Sequence, residues 1–106
     1  MAEVIWNKQA RQEWRTRLLY GLSEFGETTA VHFVHRTNKI IERIRNHPDV
    51  GYPEPFLKHR KKTYRAYRIV GPLKLIYYYV KSSDTIRIAD VWDMRREPQK
   101  LSKRIK

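Results

Sequence analysis

The feature that most limits what this chain can fold into is a change of apolar period partway along it. Up to about residue 46, apolar side chains recur every three or four positions, whereas from Tyr64 to Trp92 they follow a period of two. A helical half is therefore followed by a stranded half. Between them lies a stretch broken up by Pro48, Gly51, Pro53 and Pro55. With 106 residues and only 4 glycines, the two halves have to share one core, so residues 1–106 read as a single domain.

Glu3 to Trp6 reads as a short strand. Ala10, Trp14, Leu18, Leu22 and Phe25 then mark one face of a helix over about 8–25, with Asn7 placed to cap its start and Gly26 just past its end. A second stripe through Ala30, Phe33, Val34, Thr37, Ile40, Ile41 and Ile44 predicts another helix, with Thr28 as its cap and Pro48 barring its extension. The short link at 26–27 makes the two an antiparallel hairpin. After a basic loop over 56–63, three segments rich in Tyr, Ile and Val (64–70, 73–80 and 85–92) are separated by Gly71-Pro72 and by Lys81-Ser82-Ser83-Asp84. That pattern predicts a three-stranded meander. The basic tail over 95–106 has Pro98 in it, so only partial order is expected there. The fold class is α+β, in the order β-α-α-β-β-β: a short N-terminal strand and a helical hairpin packed on one face of an antiparallel sheet.

Even-length hairpin loops pair residues whose numbers add to a constant, and this predicts which side chains share a face. A Gly71-Pro72 turn pairs Arg68 with Leu75, Ala66 with Tyr77 and Arg65 with Tyr78. The next turn pairs Tyr79 with Ile86, Tyr77 with Ile88 and Leu75 with Asp90. One face then gathers Tyr64, Ala66, Leu75, Tyr77, Ile86, Ile88 and Trp92 as the core, with Arg68 and Asp90 flanking Leu75. The other gathers Arg65, Tyr67, Ile69, Lys74, Ile76, Tyr78, Arg87 and Val91, with no helix left to cover it.

Charge says what that open face is for. There are 23 Lys and Arg against 11 Asp and Glu, a formal net charge of +12. Nearly all the excess follows Glu54, since residues 55–83 contain no acidic residue at all. So confined a basic field fits a polyanion, with nucleic acid before an acidic membrane surface. The longest apolar run, Leu75 to Val80, is far too short to span a bilayer, and the N-terminus lacks a signal pattern, so a cytoplasmic location is expected. Without cysteine there is no disulfide, thiolate nucleophile or cysteine-ligated zinc. His32 and His35 lie one helical turn apart with no third ligand evident, so neither a metal nor a cofactor is expected. Arg65 and Lys74 on the open face would hold phosphates, while Tyr67 and Tyr78 could stack on unpaired bases beside Arg87.

The segments Val4-Ile5-Trp6, Tyr64-Arg65-Ala66-Tyr67-Arg68-Ile69, Lys74-Leu75-Ile76-Tyr77 and Val91-Trp92-Asp93-Met94-Arg95-Arg96-Glu97-Pro98, in this order and spacing, resemble the RelE/ParE superfamily of bacterial type II toxins. The resemblance implies a toxin restrained by a cognate antitoxin. RelE-like members are ribosome-dependent mRNA endonucleases, the activity expected first; ParE-like members lack the cutting residues and poison DNA gyrase. Carried over by position, the resemblance implies catalytic roles for Arg65, Lys74, and Arg95 or Arg96. The reaction would be metal-independent attack of the ribose 2′-hydroxyl on the adjacent phosphate, which needs a base, an acid and fixed positive charge. Arginine is too basic to take the proton, which leaves Lys58, His59, Lys61 or Lys62 of the loop, or Asp93, as the base. The same loop cations serve equally as an RNA-docking patch. Many RelE-like members end in a tyrosine; here no aromatic residue follows Trp92, and the Arg-Arg-Glu-Pro stretch is similar to ParE-like endings.

Overall fold

The structure, a computed structural model, describes residues 1–105; Lys106, the last cation of the tail, lies outside the described residues. In chain order it comprises strand β1 (Glu3–Trp6), helices α1 (Lys8–Phe25) and α2 (Glu27–Asn46), strands β2 (Tyr52–Pro53), β3 (Arg65–Val70), β4 (Leu73–Val80) and β5 (Thr85–Asp93), and helix α3 (Pro98–Arg104). The architecture is α+β. Its single sheet has the order β1-β5-β4-β3-β2. The meander β3-β4-β5 is antiparallel, as the turn spacing predicts, but β1 joins it parallel to β5, so the sheet is mixed. Among the described residues, no helix is long and apolar enough to cross a membrane.

The helical hairpin turns on Gly26, which has φ +93 and serves both helices. Its N–H donates to the Leu22 carbonyl at 3.0 Å and its own carbonyl accepts from Ala30 at 3.2 Å. A side chain at that φ would be strained, so glycine alone gives so tight a reversal. Neither of the expected side-chain caps forms: Asn7 makes no cap bond, and Gly26 occupies the position expected of Thr28. The buried faces of α1 and α2 set Ala10, Phe33, Ile40 and Ile44 against Ile69, Leu75, Tyr77, Ile86, Ile88 and Val91. Trp14 stacks on Phe33 with centroids 5.5 Å apart and donates its indole N–H to Thr37 Oγ1 at 3.0 Å.

Two register shifts decide which residues belong to that core. Val70 faces Leu73 across the turn, but Arg68 then faces Lys74, leaving Ile69 as an extra residue, and Arg65 ends opposite Tyr77 instead of Tyr78. Likewise Tyr77 faces Ile88 while Ile76 faces Asp90, leaving Ala89 as the extra residue in β5. Each bulge is held by a side chain that takes up a displaced backbone group. Arg36 Nε donates to the Ile69 carbonyl at 2.9 Å, and the Val91 N–H donates to Asp90 Oδ1 at 2.9 Å.

Several expectations about the faces are thereby corrected. Arg65, Tyr67, Ile69 and Val91 point to the helical side, while Tyr64, Ala66 and Trp92 point away from it. Arg68 and Asp90 also leave the helical side. Arg68 is exposed and donates to the Gly71 carbonyl at 2.7 Å, while Asp90 is buried and paired with Arg104 at 2.7 Å. The far face is not open either. Leu57, from a 3-10 turn at Pro55–Leu57, and Leu101 and Ile105, from the end of the chain, cover Tyr64, Ala66, Ile76, Ala89 and Trp92 in a second core. The tail expected to be partly ordered is a helix because Pro98 occupies its first turn, where a missing N–H costs nothing.

Tyr77 ties the central strand to the segment that leaves α2. Fully buried, its hydroxyl donates to the Pro48 carbonyl at 2.9 Å and accepts the Gly51 N–H at 2.9 Å. Burial pushes its hydroxyl pKa up, so it stays protonated. Gly51 is obligatory here, because a Cβ would lie 2.7 Å from that hydroxyl and 2.8 Å from the Ala66 carbonyl. Removing the hydroxyl strands a buried N–H, so Tyr77→Phe is expected to cost about 1–3 kcal/mol in urea unfolding. An unchanged midpoint would show that the bond contributes nothing.

Candidate functional site

The four cations that the resemblance implies as catalytic divide between the two faces of the sheet. Arg65, on β3, lies on the helical side and is half-buried, its Nη1 donating to the Gly51 carbonyl at 2.9 Å and reaching the Asp49 carbonyl at 3.3 Å. It straps the chain between α2 and β2. Lys74, on β4, points to the other side and is buried, its ammonium in direct contact with Glu54 Oε1. Arg95 leaves the end of β5 toward the helical side, where it holds Asp93 through Nε at 3.1 Å and Nη2 at 2.8 Å. Arg96 turns the other way and lies over the Trp92 ring, 4.6 Å from its centroid. An alternating strand cannot bring Arg65 and Lys74 together, since the bulge at Ile69 has moved one of them across.

The residues expected to hold RNA fare differently. Lys58, His59, Lys61 and Lys62 are exposed on the loop that covers the second core. Lys62 Nζ lies 4.7 Å above the Tyr78 ring, and Tyr64 meets Tyr78 edge-on at 5.3 Å. Arg87 is opposite Tyr78 and on the same face. Tyr67 is the exception, packing against the helical core.

Two residues that pattern reading passes over shape this region. Glu54 is 1% exposed; its carboxylate accepts the Phe56 N–H at 3.1 Å and faces Lys74, beside the Tyr52 ring whose centroid is 5.8 Å from Nζ. Its signal in the sequence is position: it is the last acidic residue before the long basic run. Arg60 is the second, a half-buried arginine among exposed cations that bonds carbonyls at the end of α3. Leu101 and Ile105, four residues apart, carry the helical spacing that foretold the surface it binds.

The electrostatics of the end of β5 are set by Arg95. Its hydrogen bonds hold the Asp93 carboxyl down to about 2, helped by the charge of Arg17 at 3.4 Å. A carboxylate held below its usual value near about 4 stabilises the fold above that pH, and the contribution disappears as pH falls toward about 2. Asp93→Asn is therefore expected to unfold at lower urea than the parent at pH 7, with the gap closing as the pH drops through this window. A gap that persists unchanged at the acid end would contradict it.

The Lys74–Glu54 pair is buried on both sides, so breaking it leaves a lone charge in an apolar setting. Lys74→Met is expected to destabilise by about 3–5 kcal/mol, and the double change Lys74→Met/Glu54→Leu by much less. Equal losses in thermal unfolding would show that the pair is not coupled.

Among the described residues, no group of three or more His, Cys, Asp or Glu is placed to hold a metal ion. On the helical side, a groove of about 320 Å³ runs between the tip of the hairpin and the β3–β4 turn, with Tyr20, Phe25, Phe33 and Leu73 in its walls and Arg17 and Arg95 at its rim.

A family model described as the ParE toxin of type II toxin-antitoxin system, parDE, matches residues 4–98. No curated protein matches the chain. Among solved structures, that of the YoeB dimer from Staphylococcus aureus shares the fold with a TM-score of 0.58, covering 84% of this chain and 92% of that one at 21% identity.

Proposed function

This chain belongs to the ParE toxin family of type II toxin-antitoxin systems, and on that premise we propose that it arrests growth by occupying DNA gyrase, without cutting RNA. It is a toxin whose partner is an antitoxin; the reading concerns what it attacks. The observation that carries it is the dispersal of the cations. Scission of RNA needs a base, an acid and charge around one phosphate. Here Arg65 is bound to backbone carbonyls on one face, Lys74 is buried against Glu54 on the other, and Arg95 is occupied by Asp93. On the same reading the antitoxin covers the apolar groove of the helical side, whose rim cations Arg17 and Arg95 suit an acidic amphipathic segment.

One observation favours a second reading, a ribosome-dependent endonuclease. Glu54 and Lys74 put a carboxylate and an ammonium in contact beside the basic loop, the chemistry of a proton-transfer pair. For that pair to meet RNA, the Tyr52–Leu57 segment has to lift, and Arg65, Arg95 and Arg96 have to leave their present partners.

Purified toxin added to gyrase and to a translating extract separates the two. The expected result is loss of supercoiling with accumulation of cleaved DNA, while ribosome-bound mRNA stays intact. Cut mRNA with gyrase unaffected would overturn the proposal in favour of the second reading.

A further inference from the structure

The basic loop and α3 form a single cationic platform, and Arg60 joins them. Its Nη1 donates to the Ile105 carbonyl and its Nη2 to the Ser102 carbonyl at 2.6 Å, backbone acceptors at the end of α3. Beneath this joint Leu57, Leu101 and Ile105 are buried together. The loop is thus fixed to the helix by both oil and hydrogen bonds. Lys58, His59, Lys61 and Lys62 on the loop and Lys100 and Lys103 on α3 are all exposed. None of them enters an ion pair among the described residues. No acidic residue occurs in 55–62 or in 98–105 to neutralise them. Holding so many like charges on one rigid surface costs stability unless an anion meets them.

We propose that this platform binds the phosphate backbone of duplex DNA. A single strand needs free aromatic faces on which successive bases stack. Here Tyr78 has Lys62 over its ring and Tyr64 at its edge, and Trp92 is buried beneath Arg96. Phe56, 46% exposed, and Tyr52, 44% exposed with Lys74 over its ring, offer seats for two bases at most and no continuous track for a strand. Cations without a stacking track recognise backbone charge, and a duplex presents that charge most densely. The choice of DNA rests on the gyrase reading, for it gives the toxin a second hold on the complex that gyrase forms with its substrate. Binding to DNA alone can nevertheless be measured without gyrase, so either idea can fail by itself.

The test is fluorescence anisotropy of a labelled random-sequence duplex, titrated with toxin over a range of salt. Two triple variants change the net charge equally: K58E/K61E/K62E on the platform, and R11E/R15E/K39E on exposed positions of α1 and α2. The platform variant is expected to lose at least about tenfold in affinity and about 3 units of the log K against log salt slope, whereas the control stays within about twofold. Equal losses would mean diffuse attraction and overturn the proposal. Tighter binding to a single strand of the same length, abolished by Phe56→Ala, would overturn the choice of duplex. Arg60→Lys keeps the charge but loses the fork, and is expected to weaken binding several-fold; unchanged binding would overturn its role as the joint. Circular dichroism verifies folding, and K100E/K103E tests the contribution of α3 should Arg60→Lys unfold.

Discussion

Everything that distinguishes the two faces of this sheet follows from two single-residue bulges, at Ile69 and Ala89. A strand alternates with period two, so one extra residue exchanges the faces of everything beyond it. Without the first bulge, Arg65 would stand on the same side as Lys74. With it, Arg65 joins the helical side and Ala66 takes its place beside Ile76, where a small side chain leaves room for the second core. The second bulge has the same consequence for β5, sending Val91 to the helices and Trp92 to the opposite core. Each is stabilised by a polar side chain: Arg36, distant on α2, for the first, and Asp90, within the bulge itself, for the second. That Asp90 also binds Arg104 of α3 means that one carboxylate secures the bulge and the helix that covers the face it creates.

The excess of positive charge is then divided by structure into two kinds. Some cations are consumed in holding the fold: Arg65 on the loop carbonyls, Lys74 on Glu54, Arg60 at the end of α3, Arg104 on Asp90. The Asp90 partner also raises the pKa of Arg104 further, through hydrogen bonding and charge. Others, in the loop and on the outer side of α3, are exposed and enter no ion pair among the described residues. The first kind explains why a count of basic residues overstates what is available for chemistry. The second kind keeps a concentrated field on one surface of a small domain.

The helical hairpin, the meander and both hairpin turns were legible because each is written in local terms: an apolar stripe, a glycine at a reversal, paired apolar strands. Strand bounds read from alternation agree closely with those observed, Tyr64 and Asp93 marking the differences. The tail was misjudged for an equally local reason. Pro98 ends helices from within but begins them well, and Leu101 and Ile105 already carried the spacing of a helix. The loop cations Lys58, His59, Lys61 and Lys62 could be singled out from composition, since nothing acidic lies among them. Arg60, identical to its neighbours in type, could not be separated from them, because its role depends on carbonyls more than forty residues away.

What the sequence determined alone was the order of the first strand, the helical hairpin and the meander, the α+β class, the resemblance to a toxin family and the placing of excess charge after Glu54, because periodicity, turn residues and composition act over a few positions at a time. What only the tertiary structure decided was which cations stand together. Face membership depends on register, register depends on bulges, and the bulge at Ile69 is stabilised by Arg36, a side chain distant in sequence. Arg65 and Lys74 are nine residues apart in the chain and on opposite sides of one sheet because of a single inserted isoleucine.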